Sequence, residues 1–124
     1  MTAADARASI LVVDDEAMIR MILNRALNQK FNVTTVESPQ DAWRALETQS
    51  FNLVMSDINM PGGSGLTLVS DIQRRLPNIQ VAFLAAVVDD ETHARIEAMG
   101  ATLFLKPFEI AELITMVESL LGSA

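Results

Sequence analysis

Residues 9–15 read SILVVDD, a short apolar run rich in β-branched side chains that stops at two aspartates, Asp14 and Asp15. Residues 53–56 (LVMS) form a second apolar run, which stops at Asp57. Continuous apolar runs of this length are typical of strands that are buried on both faces of a parallel sheet. The two stretches therefore predict a buried parallel sheet whose strands end in acidic groups.

Outward from these stretches, apolar runs alternate with segments of helical period along the whole chain. The predicted strands are residues 9–13, 32–36, 53–56, 80–84 and 102–105, and the predicted helices are residues 17–28, 39–48, 64–76, 90–99 and 110–121. This alternation predicts an α/β fold in which helices cover both faces of a parallel sheet. Right-handed crossovers favour the strand order 2-1-3-4-5, which predicts a ligand site at the carboxyl ends of the adjacent first and third strands.

Length and composition indicate one domain. The 124 residues are enough to bury a core without disulfides, and no linker, repeat or low-complexity stretch divides them. We predict one domain over residues 9–124, preceded by a disordered or loosely ordered N-terminal tail of residues 1–8. The absence of cysteine excludes disulfides, thiolate catalysis and cysteine-ligated metal centres.

Charge and hydropathy exclude two kinds of partner. The formal net charge is -7 and the basic residues are scattered, so the clustered Lys and Arg that neutralise nucleic-acid phosphates are missing. No apolar run reaches the roughly 18 residues that a membrane span needs, and the first residues lack the apolar segment of a signal peptide. The sequence therefore predicts a cytoplasmic protein that binds neither nucleic acid nor membrane directly.

Four charged side chains follow three of the predicted strands: Asp14 and Asp15, then Asp57, then Lys106. A single aspartate after a strand is commonly a turn former or a helix cap. A functional site is indicated only because all four side chains are expected to converge at one edge of the sheet. Carboxylates placed so close together repel one another unless a cation neutralises them. Because Mg2+ prefers oxygen ligands and binds one or two carboxylates together with phosphate oxygens, we predict a Mg2+ site at this edge.

The same arrangement favours transfer of a phosphoryl group to Asp57. A free carboxylate oxygen of Asp57 could attack phosphorus in line and form an aspartyl phosphate. Lys106 would supply positive charge beside the cation, and both would stabilise the negative charge of the transferring group.

Four motifs resemble those of response regulator receiver domains, the CheY-like domains of two-component signal transduction: ILVVDD at 10–15, SDINMP at 56–61, Gly65, and KPF at 106–108. The resemblance extends over residues 9–121. It implies a flavodoxin-like, doubly wound fold of five strands and five helices, and it identifies the domain of residues 9–124 as a receiver domain. Such domains usually carry a cis peptide between the residues that correspond to Lys106 and Pro107, which is chemically reasonable because only X-Pro bonds reach cis at low cost.

The resemblance also implies the residue roles and the partners. Asp57 would accept the phosphoryl group and Lys106 would contact it. The Mg2+ ligands would be Asp14, Asp15, Asp57 and, through its backbone carbonyl, Asn59. A histidine kinase or histidine phosphotransfer protein would be the donor and a downstream protein the target. The chain would be a monomer or weak homodimer and not an enzyme, beyond catalysing its own phosphorylation and dephosphorylation.

Two positions depart from the family pattern. Receiver domains usually have Ser or Thr at the end of the fourth predicted strand, where this chain has Ala85, so a hydroxyl that normally binds a phosphoryl oxygen is missing. They also commonly have an aromatic residue three positions before the lysine, where this chain has Leu103. Strand alternation places Phe104 on the opposite face from Leu103, so we predict that Phe104 belongs to the core and that switching is atypical.

Three other functions are compatible with parts of this sequence. The first is a receiver-like interaction module without phosphorylation-driven switching, which Ala85 and Leu103 favour. The second is an aspartyl-phosphate phosphatase, which needs a proton-transferring acid where this chain has Asn59. The third is flavin binding, which is disfavoured because the three carboxylates would repel a phosphate. Without a DNA-binding segment after residue 121, output is expected through protein contact, unless the chain is a piece of a larger regulator.

Overall fold

The structure is a computed structural model that describes residues 7–122. The strands are β1 (Ser9–Val13), β2 (Asn32–Val36), β3 (Leu53–Asp57), β4 (Asn59–Met60), β5 (Gly63–Ser64), β6 (Gln80–Ala85) and β7 (Thr102–Leu105). The helices are α1 (Ala17–Leu27), α2 (Pro39–Thr48), α3 (Gly65–Arg75), α4 (Asp90–Ala98) and α5 (Ile110–Leu120).

The main sheet has five parallel strands in the order β2-β1-β3-β6-β7. This is the predicted order 2-1-3-4-5, because β4 and β5 form a separate antiparallel pair outside the main sheet. The flavodoxin-like α/β fold with five helices is therefore confirmed. The sequence did not predict the β4–β5 pair, and it placed the ends of β3 and β6 one residue early.

Strand alternation divides the core into two layers, one on each face of the sheet. Leu11 and Val13 of β1 face α2, α3 and α4, whereas Ile10 and Val12 face α1 and α5. All four of these side chains are fully buried. A sheet covered on both faces leaves only its two ends accessible, which is why functional groups concentrate at the ends of the strands.

Three local sequence features define the ends of α2 and α4. Ser38 Oγ accepts a hydrogen bond from the Asp41 N–H at 3.1 Å and caps α2, whose first residue is a proline. Asp89 Oδ1 accepts one from the Thr92 N–H at 2.8 Å and caps α4. Gly100 follows α4 with a φ of +69°, a backbone conformation that glycine adopts without strain.

The predicted N-terminal tail falls largely outside the described residues, which begin at Arg7. Arg7 donates hydrogen bonds to the Asn28 carbonyl and to Asn32 Oδ1, and the Ala8 carbonyl accepts one from the Asn32 N–H at 2.9 Å. These two residues therefore contact the start of β2. Within the described range, no helix is both long enough and apolar enough to cross a membrane.

Candidate functional site

The carboxyl edge of the main sheet brings the predicted charged residues together. Val13 pairs with Ser56 in the register of β1 and β3, so the next residues, Asp14 and Asp57, are neighbours across the two strands. Lys106 directly follows β7, and its N–H donates to the Ala85 carbonyl at the end of β6 at 2.7 Å. Its side chain thus begins two strands away from Asp57 and extends over the end of β6 toward it.

Asp14 is the most deeply buried of these acids, with 0% exposure. Its Oδ1 accepts a hydrogen bond from the Glu16 N–H at 2.8 Å, and its carbonyl accepts one from Arg20 at 2.7 Å. Its Oδ2 lies 2.9 Å from Lys106 Nζ as an ion pair and accepts no hydrogen bond from the described residues. Asp14 Oδ2 is therefore a buried oxygen that has no hydrogen-bond partner among the described residues.

The Asp57 side chain is 13% exposed, and its two carboxylate oxygens differ in their contacts. Its Oδ1 accepts a hydrogen bond from the Ile58 N–H at 2.8 Å, while Oδ2 lies 3.7 Å from Lys106 Nζ. Burial, together with the negative charge of Asp14, raises the pKa of Asp57 from 3.8 to about 6, although Lys106 and the Ile58 N–H act in the opposite direction. The negative charge of ionised Asp57 is therefore only partly neutralised by its surroundings in this site.

Lys106 Nζ lies among three carboxylates. The distances are 2.9 Å to Asp14 Oδ2, 3.0 Å to Glu16 Oε1 and 3.7 Å to Asp57 Oδ2, and the Lys106 side chain is only 11% exposed. Burial alone would lower the pKa of Lys106, but its pairing with Asp14 and Glu16 and the negative charge of Asp57 outweigh burial and raise that pKa. Lys106 therefore remains an ammonium ion. The Lys106–Pro107 peptide bond is cis, as the resemblance implied.

The carboxylate oxygens of this site fit a hard divalent cation. One oxygen each from Asp14, Glu16 and Asp57 lie within 4.8 Å of one another. An all-oxygen set of acidic ligands suits Mg2+, and the buried Asp14 Oδ2, which accepts no hydrogen bond from the described residues, is an oxygen that such an ion would engage. The chemistry of the donor set thus agrees with the predicted cation.

The acids that follow β1 do not all lie in the three-carboxylate group. Asp15 is exposed and is not part of the three-carboxylate group, whereas Glu16, which the sequence reasoning did not single out, is part of it. Residues 14–16 lie beyond the end of β1, so strand alternation does not determine which of these acids turns toward the site. Asn59 is exposed at the start of β4. The ligand roles of Asp15 and Asn59 stay predictions.

The three predicted switch positions lie at the ends and faces of β6 and β7. Ala85 is 5% exposed and ends β6. Leu103 packs against the layer of α2, α3 and α4, while Phe104, 4% exposed, belongs to the layer of α1 and α5. The prediction that Phe104 is a core residue on the face opposite Leu103 is confirmed. The effect of these positions on switching stays a prediction.

Gly65 holds the loop after Asp57 close to the site. Its N–H donates to the Ile58 carbonyl at 2.6 Å, and a Cβ built on Gly65 would collide with the backbone carbonyl of Asp57. Only glycine lets the start of α3 approach β3 this closely. Gly65 therefore fixes the position of the Asp57 backbone.

Comparison with known proteins agrees with this geometry. Residues 10–118 match the family profile of the response regulator receiver domain. The chain is similar to the DNA-binding transcriptional regulator NtrC of Escherichia coli K12, with 36% identity over 114 residues that cover 90% of this chain and 24% of NtrC. It therefore spans about a quarter of the length of the curated relatives it matches.

Two solved structures show the same fold. The response regulator TrrA of Thermotoga maritima, in complex with Mg2+-BeF, has a TM-score of 0.81 and 30% identity over 91% of this chain and 98% of TrrA. The chemotaxis protein CheY4 of Vibrio cholerae has a TM-score of 0.85 and 25% identity over 93% of this chain and 99% of CheY4.

Proposed function

This chain belongs to the response regulator receiver domain family of two-component systems, and we propose that it accepts a phosphoryl group on Asp57 from a histidine kinase or a histidine phosphotransfer protein. The contacts around the Asp57 carboxylate support this proposal. Its Oδ2 accepts no hydrogen bond from the described residues, its ion pair with Lys106 spans 3.7 Å, and the carboxylate groups with those of Asp14 and Glu16. The carboxylate is thus shielded from water but still available as a nucleophile.

The proposed transfer forms one bond to phosphorus and breaks another. A carboxylate oxygen of Asp57 forms a bond to phosphorus while the bond from phosphorus to the imidazole nitrogen of phosphohistidine breaks. The bonding electron pair stays on that nitrogen, which takes a proton from solvent. Lys106, 3.7 Å from Asp57 Oδ2 and protonated, stabilises the negative charge on the transferring oxygens.

We propose Mg2+ as the cofactor. Asp14 and Asp57 would hold it with a third ligand from the acidic loop, either Asp15 as the resemblance implies or Glu16, whose oxygen lies within the carboxylate group. When bound, Mg2+ neutralises the carboxylates and adds positive charge beside the phosphoryl oxygens. The TrrA complex contains Mg2+ together with BeF, which supports this choice.

Incubation with acetyl phosphate or with a phosphorylated histidine kinase tests the function. We expect one phosphoryl group per chain in the presence of Mg2+ and almost none after chelation, because the uncompensated acidic cluster repels the donor. Intact-protein mass spectrometry measures the gain. Hydroxylamine should remove the group, since it cleaves acyl phosphates. Equal incorporation with chelator, or a hydroxylamine-resistant product, would contradict the proposal.

The second candidate is an interaction module of receiver fold that binds partners without phosphorylation-driven switching. Ala85 favours it, because a methyl group at the end of β6 cannot hydrogen-bond a phosphoryl oxygen. A ligand shifts a conformational equilibrium only through contacts that differ between the two states. Phosphorylation of the wild type without any change in partner affinity would favour this candidate.

Restoring the hydroxyl should strengthen the response to phosphate. A hydrogen bond to a charged group contributes about 1.5 to 3 kcal/mol, so Ala85→Ser is expected to raise the ratio of partner affinities, phosphorylated over unphosphorylated, by about ten- to a hundredfold. Ala85→Thr adds the same donor with more volume at a buried position and is expected to strain the site. Amide chemical shifts with and without phosphate provide a second measurement.

Ala86→Ser is the matched control, because it adds the same hydroxyl at the neighbouring exposed position. It should leave the affinity ratio unchanged. If the wild type already shows a large response and neither variant of Ala85 enlarges it, the missing hydroxyl does not limit switching in this protein.

We further propose that the chain works in the cytoplasm as a monomer or weak homodimer, with output through contact with a downstream protein. As a receiver domain it is a signalling domain and not an enzyme of the ordinary kind. Its net charge of -7 disfavours direct binding of nucleic acid by this domain. NtrC is named as DNA-binding, and this chain covers 24% of it.

A further inference from the structure

Glu16 makes a long-range contact that the proposed transfer does not use. Its Oε1 accepts a hydrogen bond from Lys106 Nζ at 3.0 Å, across 90 positions of the sequence. The same Nζ lies 2.9 Å from Asp14 Oδ2 but 3.7 Å from Asp57 Oδ2. The ammonium group is therefore held toward the loop after β1 and away from the phosphate acceptor.

The backbone around Glu16 presents its side chain to Lys106. The Glu16 N–H is fixed by Asp14 Oδ1 at 2.8 Å. Glu16 occupies the N-cap position of α1, but its side chain makes no capping hydrogen bond there. The carboxylate is thus available to pair with Lys106, although 59% of the Glu16 side chain is exposed to solvent.

We propose that Glu16 is a positioning residue that restrains Lys106 in the phosphate-free protein and so lowers the rate at which Asp57 is phosphorylated. The inference rests on the proposed function. A phosphoryl group arriving at Asp57 must draw the ammonium group from its present position, and Glu16 competes with it for the same N–H donors. The negative charge of Glu16 acts in the same direction, since it repels a phosphate that approaches from solvent.

Two substitutions separate the effect of the Glu16–Lys106 contact from the effect of the negative charge of Glu16. Glu16→Gln removes the charge and weakens the pairing with Lys106, whereas Glu16→Asp keeps the charge on a side chain that is one methylene too short to hold Lys106 at 3.0 Å. Glu37→Gln is the matched control, because Glu37 is 66% exposed and pairs with Arg20 at 3.7 Å, not with Lys106.

Phosphorylation by subsaturating acetyl phosphate with Mg2+ is the first measurement. We expect both Glu16 variants to react about two- to fivefold faster than wild type, the range that corresponds to one partly exposed ion pair. The rate of Glu37→Gln should stay within the error of the wild type. A faster Glu16→Gln with an unchanged Glu16→Asp would make charge the sole cause and overturn the restraint.

The titration of Lys106 provides a readout without phosphate or metal. The chain has only two lysines, Lys30 and Lys106, so their 13Cε resonances are resolved and Lys30 serves as an internal reference. Because the hydrogen bond that Lys106 donates to Glu16 contributes to raising the pKa of Lys106, that pKa should fall in Glu16→Gln and stay unchanged in Glu37→Gln. An unchanged Lys106 pKa in Glu16→Gln would overturn the proposal.

The remaining outcomes distinguish failure of the Glu16 restraint from failure of the proposed phosphorylation of Asp57. If wild type and all variants take up phosphate at one rate, the restraint is wrong and the proposed function stands. If none takes up phosphate, both are wrong. A joint fall of Mg2+ affinity and rate in Glu16→Gln would make Glu16 a cation ligand, and this too would overturn the restraint.

Discussion

Asp57→Asn is expected to abolish incorporation of phosphate in the presence of Mg2+ and a phosphodonor. The amide oxygen of asparagine is a far weaker nucleophile than a carboxylate, and attack through it would not yield a stable acyl phosphate. The variant should still fold, because its side-chain oxygen can accept the hydrogen bond that the Ile58 N–H donates to Asp57 Oδ1 at 2.8 Å. Loss of phosphate uptake then reports on chemistry and not on structure.

Intact mass and hydroxylamine sensitivity measure this loss under conditions that phosphorylate the wild type. Asp71→Asn is the matched control, because it makes the same change on α3 at a residue whose described partner is the nearby Arg74. Ser56, the neighbouring hydroxyl, is fully buried and donates to the Asp57 carbonyl at 2.9 Å, so it is not expected to replace the acceptor. Full incorporation into the Asp57 variant would place the acceptor elsewhere.

Local sequence pattern predicted most of the fold because the strands are buried on both faces. The apolar run of β1 and the β-branched run of β2 predicted the first and last residues of both strands correctly. The predicted end of β3 was one residue early, because Asp57 is a charged residue that pairs in the sheet with Leu84. The β4–β5 pair was missed because two-residue strands carry no periodicity, and the residues around it, including Pro61 and Gly62, are read as a turn.

The site was predicted only as far as strand ends determine it. The switch-point rule brings Asp14, Asp57 and Lys106 to one edge, and the structure does so. Which of three consecutive acids turns toward the site depends on the loop backbone, so Glu16 was missed. Its contact with Lys106 joins residues 90 positions apart through two side chains, and no local pattern encodes it.

The stability of the metal-free protein should depend on pH through Asp57. The pKa of Asp57 is about 6 in the folded protein and near 3.8 for an unperturbed aspartate, so between these values the folded state binds more protons than the unfolded state. Stability from this group is therefore full below about pH 4 and decreases as the pH rises toward 6. Above pH 6 the ionised carboxylate, buried beside Asp14, destabilises the fold.

Asp57→Asn removes this titration, so the free energy of unfolding of the variant relative to wild type should increase with pH. Between pH 4.5 and 7.5 in chelator we expect the difference to grow by about 2 kcal/mol in favour of the variant. Urea unfolding of both proteins across this range measures it. Excess Mg2+ is the internal control, since a cation bound to the carboxylates stabilises the ionised wild type and should shrink the difference. A difference that is constant across the range in chelator would show that Asp14 and burial do not penalise ionised Asp57, and that Lys106 already compensates its charge.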